Sequence, residues 1–261
     1  MKYIAGFIGI GNMGGALLNA VSSSTDDKVC AYDLNQKLLQ EKSETTGCFS
    51  ESLKDLCENS KYIFLGVKPN VITSVLGQIK DFISDETVLV SMAAGISIDT
   101  IVQNVNTKRV IRIMPNTPVT VGEGVVLYCT GEDVFESDIS DFLKLMKNVG
   151  TIDSIDEKLI DAAAALSGCG PAFVYMFIDA LADGAVKCGL SREKAILYAK
   201  QTVCGSAAFS LESDKHLEKL KDEVCSPGGT TIEGVLALEK ASFRHAVSSA
   251  VIAAFEKTKL L

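Results

Sequence analysis

The sequence predicts an α/β chain, with an N-terminal half of alternating strands and helices and a C-terminal half made only of helices. Two observations predict it. Apolar runs of strand length alternate with helical patterns up to about residue 155, which argues for a mostly parallel sheet covered on both faces. Beyond that point strand signals vanish, and every segment has helical spacing and propensity. Length and composition allow this: 261 residues at 47% hydrophobic content suffice for one large or two ordinary domains with a real core, and exclude a disordered chain.

Each element follows in order. YIAGFIG is the first strand; its short apolar run lacks the long core and A-x-A site of a signal peptide. NMGGALLNAVSSS is a helix, KVCAYD a strand and NQKLLQEKSETTG a helix. YIFLGVK, TVLVSMA and RVIRIMP continue the strands, with helices NVITSVLGQIKDFI and DTIVQNV between them. GVVLYCT, EDVFESDISDFLKLMKNVG and TIDSI add strand, helix and strand. A domain boundary is expected near Thr151–Asp156, giving domains 1–153 and 154–261. The second half reads as EKLIDAAAALSG, PAFVYMFIDALADGAVKCG, SREKAILYAKQTVCGSAAFSLES, HLEKLKDEVC and one long helix over 231–261. In helix 171–188, Phe173, Tyr175, Met176, Phe177 and Leu181 cover nearly the whole circumference, which predicts burial on all sides, as a central core helix or, the favoured reading, in an oligomer interface.

Charge and cysteine use narrow the function classes. The net charge of −8, with no Lys/Arg block, argues against a nucleic-acid surface. The eight cysteines form no CxxC pair and read as buried small residues in a reducing cytoplasm. The two histidines, His216 and His245, have no ligand spacing to a cysteine, so no metal site is expected. Apolar runs are broken by Asp, Lys or Gly, so no membrane span is expected.

The first chemical motif is G-x-G-x-x-G at Gly9, Gly11 and Gly14, between a predicted strand and a predicted helix. The first glycine permits the tight turn, the second lets backbone approach a pyrophosphate, and the third permits helix–strand packing. Asp33 closes the second strand nineteen residues after Gly14, the place of a ribose-binding carboxylate. No arginine follows it, and Lys37 is the nearest cation, which favours NADH over NADPH. The first half is thus a Rossmann domain. GVKPN, SMAAGIS and RIMPNTP then end three further strands and describe one cleft edge.

In the helical half, ALSGCGPAF is a turn with Pro171 at a helix start. CSPGGTTIEG has capping-box spacing, Thr230 with Glu233. A cap does not account for Gly228 with Gly229, nor for the extra hydroxyls of Ser226 and Thr231. A glycine pair bares N–H groups and suits a small carboxylate against the backbone.

GFIGIGNMG, GVKP, SMAAGIS, RIMPNTP, LSGCGPAF and CSPGGTTIEG, in this order, resemble pyrroline-5-carboxylate reductase over essentially the whole chain. The resemblance implies reduction of 1-pyrroline-5-carboxylate to L-proline, the last step of proline biosynthesis, with NADPH or NADH as cofactor. It implies a Rossmann domain followed by a helical dimerisation domain, a homodimer as the smallest unit, and assembly up to a decamer. The implied nucleotide contacts are Gly9, Ile10, Gly11, Asn12, Met13, Gly14, Asp33, Val67, Lys68, Pro69, Ala93, Ala94 and Asn116. Ser226, Gly228, Gly229, Thr230 and Thr231 are implied at the substrate carboxylate and ring nitrogen, and Glu157 near the bound product. Substrate and cofactor loops are implied to come from different chains of the dimer. The sequence departs from the family's commoner residues at Cys169, at Phe173 and at Asp33, where small polar residues suited to NADPH are usual.

Hydride transfer to C=N needs an electrophilic iminium, which can form in solution, so no strong enzymic acid is required at carbon. Thr231 is the expected partner of the ring nitrogen and the expected catalytic residue. The alternatives are a related imine reductase or β-hydroxyacid dehydrogenase, and a non-catalytic nucleotide sensor. The dehydrogenase reading expects a helical lysine in a Gly-rich context, and Lys158, Lys187, Lys194 and Lys200 lack one.

Overall fold

The computed structural model describes residues 1–46 and 52–259; Cys48 lies outside the described residues. The chain divides into two compact units, residues 1–169 with 255–261, and residues 170–254.

In the first unit, β1 (Tyr3–Ile8), β2 (Val29–Tyr32), β3 (Ser60–Leu65), β4 (Val88–Ser91), β5 (Val110–Pro115), β6 (Gly124–Thr130) and β7 (Gly150–Ser154) form one sheet in the order β2-β1-β3-β4-β5-β6-β7. All seven strand segments expected from the sequence are present. The first five pair in parallel, but β5 and β6 are antiparallel. A short 3-10 turn at Thr117–Val121, started by Pro118 and closed by Gly122 at φ 74°, reverses the chain between them. The helices are α1 (Asn12–Ser22), α2 (Gln36–Thr46), α3 (Leu53–Asn59), α4 (Pro69–Ile79), α5 (Ile98–Val102) and α6 (Glu136–Leu145). Helix α3 was not anticipated, although its start is signalled by Ser52, whose side chain accepts from the Asp55 amide.

Alternation along β3 builds both cores. Tyr62 and Phe64 pack into one layer with Phe7, Leu17 and Phe142. Ile63 and Leu65 pack into the other with Leu56, Ile72 and Leu76. Phe7 and Phe64 stack at 4.4 Å between centroids. Strands buried on both faces are apolar in their central residues, as Tyr62 to Leu65 are here.

Helix α7 (Glu157–Ser167) follows the sheet. It packs there through the fully buried Ile160. The units therefore separate at Cys169/Gly170, later than the expected boundary of 153/154, which marks only where the strands end.

The second unit holds α8 (Gly170–Lys187), α9 (Arg192–Leu211), α10 (Leu217–Glu223), α11 (Thr230–Lys240) and most of α12 (Phe243–Thr258). The long helix expected over 231–261 is two helices, because Ser242 takes a left-handed φ of 58°. Buried hydrophobic residues of this unit are Ala182, Ala195 and Ala199, whereas Tyr175, Met176, Leu197, Phe209 and Leu236 are exposed. Two expectations change accordingly. Cys30, Cys57 and Cys129 are buried, but Cys169, Cys188 and Cys204 are exposed. Within Glu157–Lys187, an 18-residue stretch with a mean hydropathy of 1.4 is long and apolar enough to cross a membrane.

Three glycines meet at the end of β1. Gly9 has φ 85°, and a Cβ on either Gly14 or Gly66 would overlap its carbonyl oxygen. Gly66→Ala is therefore expected to destabilise the first unit by about 1–3 kcal/mol through overpacking. Urea denaturation checks this, and an unchanged midpoint would contradict the contact.

Candidate active site

The residues expected at the nucleotide follow the carboxyl ends of five adjacent strands. Gly9 to Gly14 join β1 to α1, Asp33 follows β2, and Val67 to Pro69 follow β3. Ala93 and Ala94 follow β4, and Asn116 follows β5. The order β2-β1-β3-β4-β5 brings all of them along one edge of the sheet, where open α/β folds bind ligands. A cavity of about 490 Å³ lined by Lys2, Tyr3, Lys28, Lys61 and Arg109 lies at the amino ends of the strands, the opposite edge.

The glycine loop fits a pyrophosphate. Gly11 is the N-cap of α1, makes no side-chain cap, and faces open space where a Cβ would sit. The first amides of α1 are thus bare towards an anion. Lys68 is the N-cap of α4 and makes no side-chain cap bond, and Pro69 follows it as the first helical residue, where no N–H is needed.

Asp33 is held on both sides. The Ile10 amide donates to Oδ2 at 2.8 Å and the Asn35 amide to Oδ1 at 2.8 Å. Each oxygen keeps a further lone pair, so the carboxylate is a fixed negative charge beside the loop. Asn116 is more occupied than expected. Its side chain donates to the Ser167 carbonyl at 2.9 Å and accepts from the Val125 amide at 2.8 Å. It ties β5 to the end of α7, which leaves one amide hydrogen for a ligand.

The sequence reading did not single out Arg112. It lies in β5, is 3% exposed, and pairs with Glu157 at 3.2 Å and Asp161 at 2.8 Å. Its Nε makes no hydrogen bond among the described residues. The signal was a cation inside the apolar run VIRIM. The guanidinium is buried while both carboxylates reach solvent, so it is Arg112 that depends on the pairing. Glu157, expected at the substrate, spends Oε1 on Arg112 and on the Ile98 amide at 2.8 Å.

In the second unit, Ser226, Gly228, Gly229, Thr230 and Thr231 share one turn between α10 and α11. Gly228 has φ 68°, and the Gly229 amide donates to the Ser226 carbonyl at 3.0 Å. The expected capping box is absent. Gly229 is the N-cap of α11 and Thr230 its first residue, and no side chain caps the helix. The helix begins one residue earlier than a Thr230 cap would require, so the first amides of α11 are open and the hydroxyls are not used as caps. Nearby, Arg244 donates to Glu218 at 2.8 Å and to Glu239 at 2.6 Å, bracing α10 and α11 on either side of the turn.

Residues 157–261 match the family described as pyrroline-5-carboxylate reductase dimerisation, and residues 4–95 match that described as NADP oxidoreductase coenzyme F420-dependent. The chain is 39% identical to pyrroline-5-carboxylate reductase of Arabidopsis thaliana, covering 100% of this chain and 96% of that protein. It is 36% identical to the Escherichia coli enzyme, covering 100% and 99%. Among solved structures, Plasmodium falciparum pyrroline carboxylate reductase with NADP bound matches with a TM-score of 0.88 and 38% identity, covering 100% and 98%.

Arg244 and then Lys221 hold the Glu218 carboxyl down to about 2. A depressed folded value means that the brace contributes fully above the ordinary 4.5 and is lost as pH falls through about 2. The gap in Tm between the native chain and Arg244→Gln should therefore narrow from pH 7 to pH 2. A constant gap would show that the brace does not titrate.

Proposed function

The chain belongs to the pyrroline-5-carboxylate reductase family, and from that premise we propose how its own residues divide the reaction. It reduces 1-pyrroline-5-carboxylate to L-proline as an NAD(P)H-dependent oxidoreductase, works as a homo-oligomer, and takes a small-molecule substrate. The related imine reductase and β-hydroxyacid dehydrogenase readings are not favoured.

The observation that carries the assignment of the substrate loop is the uncapped start of α11 behind Gly228 and Gly229. Open amides at Thr230 and Thr231 receive the substrate carboxylate, with Gly228 and Gly229 giving it close approach to the backbone and the Ser226 hydroxyl beside it. The Thr231 hydroxyl meets the ring nitrogen, which arrives as iminium and leaves as amine. The nicotinamide supplies the hydride when NAD(P)H is bound. Gly9 to Gly14 with Lys68 and Pro69 hold the pyrophosphate side, and Asp33 the ribose. Ala93, Ala94 and Asn116 form the far wall. The protein's task is to dock the ring within about 3–3.5 Å of the hydride donor and to exclude water.

The dimer is the smallest unit in this reading, and a pentamer of dimers is the candidate assembly. The apolar circumference of α8 supports it, since Tyr175 and Met176 are exposed in the single chain. The same surface accounts for the hydropathy of Glu157–Lys187 without a membrane. We place the protein in the cytoplasm, supported by the free cysteines at Cys30, Cys57, Cys129, Cys169, Cys188, Cys204 and Cys225.

Thr231→Ala is expected to lower kcat/KM for pyrroline-5-carboxylate by about 100-fold while leaving nucleotide affinity within about twofold. An equal loss of nucleotide affinity would move Thr231 out of the substrate set. Asp33 tilts the native chain towards NADH. Parallel oxidation assays should favour NADH, and Asp33→Ser should shift the ratio towards NADPH while weakening both cofactors, because the Ile10 pin is lost. A native preference for NADPH overturns the role given to Asp33.

A further inference from the structure

Glu157 was expected beside the substrate, yet the fold commits one of its carboxylate oxygens, Oε1, to the chain. Oε1 accepts from the Ile98 amide at 2.8 Å and from Arg112 Nη1 at 3.2 Å. Arg112 Nη2 donates in turn to Asp161 Oδ1 at 2.8 Å, one turn further along α7. Ile98 is the first residue of α5, so its N–H is one of the donors a helix cannot satisfy internally. The local cap, Ser97, accepts from Thr100 instead, which leaves the Ile98 amide to Glu157.

The segment before Ile98 is the loop 92–97, which carries Ala93 and Ala94. Its near end is held where Ser91 Oγ accepts from the Ala93 amide at 3.4 Å. Ala94 and Gly95 are exposed, and Gly95 sits at φ 73°. Met92, Ala93 and Ile96 anchor the loop on the cores, whereas Ala94 and Gly95 between them have no packing to hold them. Its far end is set by the Ile98 amide, and therefore by a carboxylate from α7.

We propose that Glu157 is a positioning residue of the reduction, which fixes the loop of Ala93 and Ala94 from behind through the Ile98 amide. Arg112 and Asp161 hold Glu157 for that purpose. The inference rests on the reading of the chain as a pyrroline-5-carboxylate reductase with Ala93 and Ala94 on the cofactor side. It replaces a direct contact between Glu157 and the substrate. A loop displaced by a fraction of an ångström changes the distance between hydride donor and acceptor, which affects turnover more than binding.

The test compares Glu157→Ala with Glu157→Gln in the full-length oligomer, using steady-state kinetics, Tm, and the isotope effect from NADH deuterated at the transferred position. Glu157→Ala should lower kcat by about tenfold or more, leave both KM values within about twofold, and raise the isotope effect on kcat. Glu157→Gln keeps an acceptor for the Ile98 amide and should return kcat to within about threefold of the native value. If Glu157→Ala does not fold, the Glu157→Gln expectation stands alone and decides. A raised KM for pyrroline-5-carboxylate with kcat intact would place Glu157 on the substrate and overturn the proposal. Equal damage in the two variants, unchanged kinetics, or a lower Tm with an unchanged isotope effect would overturn it as well. A native chain that does not turn over pyrroline-5-carboxylate would overturn the functional reading itself, before any variant is compared.

Discussion

The carbonyl oxygen of Gly9 is the contact on which the nucleotide half is built. It takes a position that only a residue at positive φ reaches, and two further backbones, at Gly14 and Gly66, close on it without side chains. That approach seats α1 against β1 and β3. Because α1 begins so near the sheet, its first amides point out at Gly11 over open space. Asp33 completes the arrangement by binding the Ile10 amide from the neighbouring strand end. The carboxylate at the end of β2 thus also holds the glycine loop beside it, so charge and shape at this edge cannot be altered independently.

A second constraint is electrostatic. Arg112 places a full charge under the sheet edge, and the fold meets it with two carboxylates from α7. Such a group is costly to bury and worse to leave alone, so α7 must come down on β5 in one register. Asn116 adds a neutral tie to the other end of the same helix, at the Ser167 carbonyl. The two ties explain why α7 belongs to the first compact unit although its sequence reads as part of the helical half. The buried thiol of Cys129 lies on the same strand pair and is pushed up to about 11 by desolvation, with Glu157 adding to it.

Much of this was legible in the sequence, because its signals are local. Each strand announced itself by a short apolar run, and the glycine spacing located the loop and its acid. The antiparallel β6 was not legible, since strand direction depends on the turn at Thr117–Val121 and not on the strand's own residues. The break at Ser242 escaped for a related reason: helical periodicity continues through it, and only the backbone angle reveals the stop. The glycine turn before α11 was legible in composition, but the helix start was misread by one residue, because Thr230 and Glu233 have capping spacing without the capping geometry. Glu157 could not have been assigned from sequence. Its partners Ile98 and Arg112 are distant in the chain and meet only when α7 lands on the sheet.

The helical unit poses a different problem, because it exposes what a fold normally hides. Its buried hydrophobic residues are three alanines, while Tyr175, Met176 and Leu181 on α8 are uncovered. Apolar surface of that extent needs a cover, and length and hydropathy alone cannot distinguish a bilayer from a second copy of the chain. The charges do distinguish them. Asp179 and Asp183 sit among the apolar residues of α8, and Asp183 is paired with Arg192 at 2.6 Å. A carboxylate at the centre of a bilayer costs about 2.5–3.5 kcal/mol, whereas a protein interface leaves such groups at a wet rim. Charged groups among the apolar ones thus suit a partner subunit better than lipid, in keeping with the dimerisation family that matches residues 157–261.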